Sequence, residues 1–205
     1  TVIDALHWVL ARIDDDETTR AKLVSKLNTI LRFDWCAERF VLVTGHRREN
    51  FGDGFLQICS ALGNLARAYP DVHFVYPVHL NPNVNEPVHA MLGTLANVHL
   101  IAPQDYGPFV YLLKHAYLVL TDSGGIQEEA PSLGKPVLVM RDVTERPEAV
   151  DAGIVELVGA NEQHIIAGVS RLLDDAGRYQ LMSQAHNPYG DGMASQRILG
   201  FLRNI

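Results

Sequence analysis

The segment at residues 121–130, TDSGGIQEEA, carries the clearest pattern for chemistry in the sequence. It follows an apolar run typical of a strand and leads into a helical pattern. The first turn of a helix exposes unpaired backbone N–H groups at the positive end of the helix dipole. Gly124 and Gly125 let a ligand approach the backbone closely, and Ser123 adds a hydroxyl donor. The pattern predicts that phosphate binds at this junction.

Glu129 extends the same site. It stands four residues after Gly125 and therefore on the same face of the predicted helix. At 1.5 Å per residue it lies ~6 Å further along the axis, which suits the ribose hydroxyls of a nucleotide whose diphosphate rests on the glycines. An ordinary helix N-cap followed by solvated glutamates is the alternative interpretation.

A second loop, TGHRRENFG at residues 44–52, places potential cations after another predicted strand. Open α/β sheets bind ligands at the carboxyl edge of their strands. His46 is suited to donating to a phosphate or shuttling a proton near neutral pH. The alternative is that Arg47 and Arg48 pair with nearby acids such as Glu49. The glycine turn at the same predicted edge favours a binding role.

Two further loops end at that edge. The segment YPVHLNP at residues 76–82 contains His79, which is either a structural histidine or a ligand contact. The segment PQDYGPF at residues 103–109 contains Phe109, whose ring is suited either to receiving a flat base or to ordinary core packing.

Short apolar runs alternate with helical patterns from residue 39 onward, which is typical of a parallel sheet covered on both faces. The fold class predicted is α/β, Rossmann-like. Strands are predicted at residues 40–44, 72–78, 98–101, 118–121, 137–140 and 154–158. Helices are predicted at residues 2–13, 18–31, 54–68, 84–95, 109–115, 125–133 and 162–174, with a final amphipathic helix near the end.

The predicted layout has three parts. Residues 1–35 form a helical segment, residues 36–186 form the nucleotide-binding domain, and residues 187–205 contain the last helix, with Ile198, Leu199 and Leu202 on one side. The sequence begins in mid-helix without methionine, which indicates that an N-terminal domain precedes it in the whole protein. The last helix is expected to pack back toward that domain.

The amino-acid composition narrows the range of possible functions. The 205 residues are 47% hydrophobic, as a buried core requires, and the net charge of −7 disfavours nucleic-acid and membrane partners. The histidines show no metal-binding spacing, so no metal is predicted. Cys36 and Cys59 lack that spacing too, and a buried thiol is expected for Cys59. The sequence shows neither a leader nor a spanning segment, which predicts a cytoplasmic protein.

These loops together resemble the C-terminal domain of the bacterial non-hydrolysing UDP-N-acetylglucosamine (UDP-GlcNAc) 2-epimerases of the enterobacterial type. The resemblance covers nearly the whole chain and implies the nucleotide-binding half of a two-domain glycosyltransferase-B architecture. Five motifs carry it: GHRREN at 45–50, YPVHLNP at 76–82, DSGGIQEEAP at 122–131, RDVTERPE at 141–148 and NPYGDG at 187–192.

The resemblance implies a role for each candidate residue. His46 matches the family's catalytic histidine near the phosphates, and Arg47 and His79 match positions implicated in binding a second, activating UDP-GlcNAc. Arg146 matches a motif position whose task is undefined. The implied UDP contacts are Ser123, Gly124 and Gly125 for the diphosphate, Glu129 for the ribose and Phe109 for the uracil.

The implied activity is isomerisation of UDP-GlcNAc to UDP-ManNAc for surface polysaccharide, in a homodimer without cofactor. The family's main catalytic carboxylates belong to the absent N-terminal domain, so this half is expected to be inactive alone. A UDP-dependent glycosyltransferase domain, a hydrolysing epimerase and a non-catalytic nucleotide-binding module are the alternatives.

Overall fold

The six predicted strands are confirmed. In the computed structural model, which describes residues 1–204, they are β1 (Phe40–Thr44), β2 (His73–Pro77), β3 (Val98–Ile101), β4 (Leu118–Thr121), β5 (Val137–Val139) and β6 (Val155–Leu157). The six strands form one parallel sheet in the order β3-β2-β1-β4-β5-β6. This order is that of a Rossmann-like fold. Three strands are one to two residues shorter than predicted.

Ten α-helices occur among the described residues. They are α1 (Val2–Asp15), α2 (Glu17–Ile30), α3 (Asp53–Ala68), α4 (Pro82–Leu92), α5 (Tyr106–His115), α6 (Gly124–Glu129), α7 (Pro147–Asp151), α8 (Glu162–Asp174), α9 (Ala176–Gln184) and α10 (Ala194–Leu202). The predicted apolar stripe of α3 is buried as expected. Helices α7 and α9 were not predicted.

Helix α6 is shorter than the predicted helix at residues 125–133. It ends at Glu129, and a separate 3-10 turn spans Pro131–Leu133. Proline has no N–H to continue the α-helical hydrogen bonds, so the regular helix stops before Pro131. The glycine-rich first turn of α6 therefore belongs to a helix of only six residues.

Two apolar cores cover the two faces of the sheet. Along β1, Val41 and Val43 face the core built with α3, α4 and α8, whereas Phe40 and Leu42 face the core built with α1, α2 and α5. This alternation follows from the two-residue period of a strand. A sheet buried on both faces fixes the loops at its ends.

The helices of residues 1–35 form part of the second core. Leu6 and Leu10 of α1 and Leu27 of α2 are buried in the same cluster as the sheet residue Leu42. An ion pair between Lys114 Nζ and Asp14 Oδ2, 2.7 Å long, joins α5 to the end of α1. The three-part domain layout itself stays a prediction.

The last helix presents its apolar side chains outward. Ile198, Leu199 and Leu202 are each at least half exposed within the described chain. The start of α10 is held to α1, because Asp4 accepts hydrogen bonds from the backbone N–H groups of Ala194 and Ser195. No helix in residues 1–204 combines the length and the apolar character needed to cross a membrane.

Candidate functional site

The candidate residues meet where strand order reverses. Strands β1 and β4 lie side by side, with Thr44 opposite Thr121 and their hydroxyl oxygens 2.5 Å apart. Chain connections leave these two strands toward opposite edges of the sheet, which opens a crevice at their carboxyl ends. The loops after β1, β2, β3 and β4 all border it.

A cavity of about 210 Å³ occupies this crevice. It brings together four of the predicted residues, one from each of four separate loops or helices. These are His46, His79, Phe109 and Ser123. Gly124, Gly125, Glu129, Arg47 and Arg146 do not line this cavity.

The glycine turn lies open beside the cavity. Ser123 is the N-cap of α6, yet its side chain makes no capping hydrogen bond, and its backbone N–H donates to Thr121 Oγ1 at 3.0 Å. A methyl group on Gly125 would meet no atom within 4 Å. The Ser123 hydroxyl and the face of Gly125 are therefore available to a ligand.

Glu129 is buried at the far end of α6, where it accepts a hydrogen bond of 2.7 Å from the hydroxyl of Tyr106. Burial raises the pKa of the Glu129 carboxyl, and the Tyr106 hydrogen bond offsets part of that rise. The Glu129 carboxylate is therefore held in place with one oxygen engaged. Its other oxygen can still accept from a diol.

The loop after β1 is fixed by two buried side chains. The Tyr76 hydroxyl donates to the Gly45 carbonyl at 3.0 Å. The Asp122 carboxylate accepts from the backbone N–H groups of His46 and Arg47, at 2.8 and 2.7 Å. These buried partners fix the backbone from which the His46 side chain projects toward the cavity.

His46 and His79 stack against each other. Their ring centroids are 5.6 Å apart and the rings are inclined by 16°. His79 Nδ1 accepts from the backbone N–H of Asn81 at 3.1 Å, so the neutral ring carries its proton on Nε2. Two imidazoles that can each donate a proton thus line one wall of the cavity.

Glu49 does not pair with the neighbouring arginines in the described chain. Its carboxylate accepts from Arg141 Nε at 2.6 Å. Arg141 is buried and also holds Glu145 in an ion pair of 3.1 Å. The alternative prediction that Arg47 and Arg48 pair with Glu49 is therefore wrong, because Glu49 pairs with Arg141 in the loop after β5.

Arg146 lies against the glycine turn. A methyl group on Gly124 would come within 3.2 Å of Arg146 Nη1. Arg146 Nε donates to Glu128 at 2.7 Å, and its Nη1 lies 3.5 Å from Glu145. A side chain at position 124 would therefore require the Arg146 guanidinium to shift by a few tenths of an ångström.

Neither cysteine is among the described residues that line the cavity. Cys59 is buried in α3, where burial raises its thiol pKa to about 12, and Cys36 is exposed. Within residues 1–204, no three His, Cys, Asp or Glu side chains gather as metal ligands would.

Three residues at the site were not singled out from the sequence. Asp122 organises the His46 loop, Tyr106 holds Glu129, and Arg141 joins the loops after β1 and β5. The available signal in the sequence was an acid directly after an apolar strand pattern, and the structure shows that Asp122 is completely buried there. The partner of Tyr106 and the Glu49 partner of Arg141 are distant in sequence and left no such signal, whereas Glu145 stands only four residues after Arg141.

Known proteins are similar to this chain over nearly its whole length. The family model described as UDP-N-acetylglucosamine 2-epimerase matches residues 1–203. A UDP-N-acetylglucosamine 2-epimerase of Yersinia pestis is 61% identical over 204 residues, which is 100% of this chain and 53% of the relative. The chain thus spans about half the length of the curated relatives it matches.

Solved structures share the fold. A crystal structure of UDP-GlcNAc 2-epimerase from Neisseria meningitidis bound to UDP-GlcNAc superposes with a TM-score of 0.90 at 46% identity, over 99% of this chain and 53% of that one. The C-terminal domain of a group 1 glycosyl transferase from Francisella tularensis gives 0.57 at 18% identity, over 78% of this chain and 86% of that one, which shows the fold alone.

Proposed function

The chain belongs to the UDP-N-acetylglucosamine 2-epimerase family, and on that premise we propose that it is the C-terminal, nucleotide-binding half of a non-hydrolysing UDP-GlcNAc 2-epimerase. The whole enzyme is a cytoplasmic isomerase and homodimer that converts UDP-GlcNAc to UDP-ManNAc for bacterial surface polysaccharide. The arrangement that best supports this proposal is the open glycine turn beside a cavity walled by two histidines.

The proposed UDP pose runs along α6. The diphosphate rests on Ser123, Gly124 and Gly125, where the free hydroxyl and the first amides of the helix face open space. The ribose diol binds the Glu129 carboxylate. The uracil lies near Phe109, whose ring lines the cavity.

Cations and donors surround the proposed diphosphate on its other side. His46 is the proposed catalytic residue, donating to the phosphate nearest the sugar, and Arg146 lies against Gly124. Arg47 and His79 are proposed contacts for a second, activating UDP-GlcNAc. Preorganised donors of this kind stabilise the charge that builds on a departing diphosphate.

The proposed reaction requires such a departing group. The proton on C2 of the sugar is not acidic, because no adjacent carbonyl stabilises a carbanion. UDP therefore leaves C1 as a base removes that proton, which gives 2-acetamidoglucal. Protonation of C2 on the opposite face and return of UDP to C1 then yield UDP-ManNAc. Carboxylates beside the sugar must carry these proton transfers.

Those carboxylates are proposed to belong to the other half of the enzyme. The described residues that line the cavity include neither Asp nor Glu. Asp122 is completely buried and accepts two backbone hydrogen bonds, and Glu129 is assigned to the ribose. Closure of the two halves would bring acids to the sugar and exclude water.

The cavity volume supports a shared site. Small-molecule sites enclose about 300–1,000 Å³, whereas this cavity holds about 210 Å³. It is therefore large enough for part of a nucleotide sugar. We propose that the second half supplies the remaining walls and that the exposed apolar face of α10 packs against that half.

Binding and turnover test the proposal separately. Calorimetry should show UDP binding to the 205-residue chain, more weakly than to an enzyme with both halves, with Ser123→Ala reducing the affinity. The chain alone should produce no UDP-ManNAc. If it turned over UDP-GlcNAc alone, the assignment of the acids to the other half would be wrong.

The rival functions differ in their products. A glycosyltransferase would transfer the sugar to an acceptor, and a hydrolysing epimerase would release free ManNAc and UDP. In the whole enzyme, His46→Gln should abolish epimerisation while UDP still binds. A nucleotide-binding module without chemistry would have no turnover to lose.

A further inference from the structure

We propose that Asp122 is a positioning residue for His46, which fixes the proton of the neutral imidazole on Nδ1. This inference rests on the proposed function only for the use made of the histidine. Asp122 follows β4 directly, next to the strand whose loop carries His46. The arrangement itself is a property of the chain without any ligand.

The two oxygens of Asp122 do different things. Oδ2 accepts the backbone N–H groups of His46 and Arg47, at 2.8 and 2.7 Å, and Nδ2 of Asn50 at 3.5 Å. Oδ1 is buried and has no hydrogen-bond partner among the described residues. A buried carboxylate oxygen without a donor is costly, so a nearby donor is strongly favoured.

The His46 ring is a candidate donor. His46 Nδ1 lies 3.6 Å from Asp122 Oδ1, about half an ångström beyond hydrogen-bond length. The Asp122 side chain is completely buried, whereas the His46 side chain is 47% exposed. A small rotation of the freer ring therefore closes the gap, while the carboxylate stays in place.

The consequence concerns the opposite nitrogen. An unconstrained imidazole favours the proton on Nε2, whereas a carboxylate facing Nδ1 holds the proton there. Nε2 of the neutral ring is then free to take up a proton from the cavity side. In the imidazolium form, Nδ1–H donates to Asp122 and Nε2–H is left to donate to the diphosphate.

The neighbouring histidine has the reverse arrangement. His79 Nδ1 accepts from a backbone N–H, which places its proton on Nε2. The two stacked rings, 5.6 Å apart, would thus carry opposite tautomers. This contrast gives an internal reference within the same protein for any measurement on His46.

The test is the ¹⁵N spectrum of the imidazole rings in the 205-residue chain at alkaline pH, where an ordinary histidine is neutral. His46→Gln assigns the His46 signals. In the unsubstituted chain we expect Nδ1–H to exceed Nε2–H by roughly tenfold, as one charge-assisted hydrogen bond supports. In Asp122→Asn, which keeps an oxygen for the backbone amides but presents NH₂ to the ring, we expect Nε2–H to predominate.

Asp105→Asn is the matched control. Asp105 follows β3 at the same edge and makes no side-chain capping hydrogen bond, so its variant should leave the His46 tautomer unchanged. An Nε2–H majority in the unsubstituted chain would overturn the proposal whether or not Asp122→Asn folds. The same tautomer in a folded Asp122→Asn variant would overturn it too.

UDP titration of the same samples separates this inference from the proposed function. A tautomer that changes in Asp122→Asn, in a chain that never binds UDP, would support the positioning role and refute the nucleotide site. UDP binding with an unchanged tautomer would refute the positioning role alone.

Discussion

Gly125→Ala should increase the thermal stability of the chain and decrease its affinity for UDP. The added methyl group meets no atom within 4 Å, and Gly125 has helical backbone without positive φ. Replacing a helical glycine by alanine stabilises a protein by about 0.4–1 kcal/mol, chiefly by restricting the unfolded chain. For a domain of this size that gain corresponds to a Tm increase of about 1–4 °C.

The same methyl group should weaken UDP binding. A Cα–Cβ bond in a helix tilts toward the helix N-terminus, so the methyl group would project to the side from which a diphosphate approaches. A charge-assisted hydrogen bond contributes about 1.5–3 kcal/mol. Loss of one from the Gly125 region should therefore reduce the UDP affinity roughly tenfold to a hundredfold.

Thermal unfolding and calorimetric UDP titration measure the two effects on one sample. Gly200→Ala is the matched control, because Gly200 in α10 also has open space around its added methyl group and lies outside the site. It should stabilise the chain and leave the UDP affinity unchanged. Gly124→Ala should lack the stability gain, since its methyl group meets the Arg146 guanidinium. If Gly125→Ala binds UDP as tightly as the unsubstituted chain, the diphosphate does not rest on this turn.

Three further predictions concern single side chains. Burial raises the Glu129 pKa above its ordinary value, so the folded state binds the proton more tightly and stability falls as pH rises from about 4.5 through the folded pKa. The Tm of Glu129→Gln relative to the unsubstituted chain should therefore increase across that interval, and a flat difference would contradict the burial argument. A thiol reagent should modify Cys36 rapidly and spare Cys59, whose pKa is about 12, so Cys36→Ser should show no fast reaction before unfolding. Arg141→Ala should lower the free energy of unfolding in urea by about 1–3 kcal/mol, whereas Arg171→Ala, at an exposed ion pair, should change it by less than about 0.5 kcal/mol. If the two variants lost the same free energy of unfolding, the burial of Arg141 would contribute nothing to stability.

The sheet was predictable because its strands are continuous apolar runs. Strand β4, for example, is buried on both faces and three of its four residues are apolar, so its position stands out in the sequence. The two missed helices lack that signal. Helix α7 has only five residues, and α9 buries only Met182, so neither shows a helical apolar period.

The parts of the candidate site that lie within one short sequence segment could be predicted from the sequence. The strand, glycine turn and helix at residues 121–130 are contiguous, and the sheet topology brings His46 and His79 to the same cavity. The hydrogen bonds that organise these groups are not contiguous. Asp122 accepts hydrogen bonds from the backbone N–H groups of His46 and Arg47, which lie 76 and 75 positions earlier in the chain. No local spacing in the sequence predicts which N–H groups this carboxylate will meet.

The pairing of β1 with β4 has a consequence for the stage of folding at which the crevice forms. Thr44 and Thr121 come together only after the intervening chain, with β2, β3 and their helices, has been closed into a long loop. Contacts of such sequence separation form slowly and late. A nucleotide in this crevice would bind only to the fully folded domain. By mass action, free UDP would then shift the global unfolding equilibrium, so protection from proteolysis would rise with nucleotide concentration.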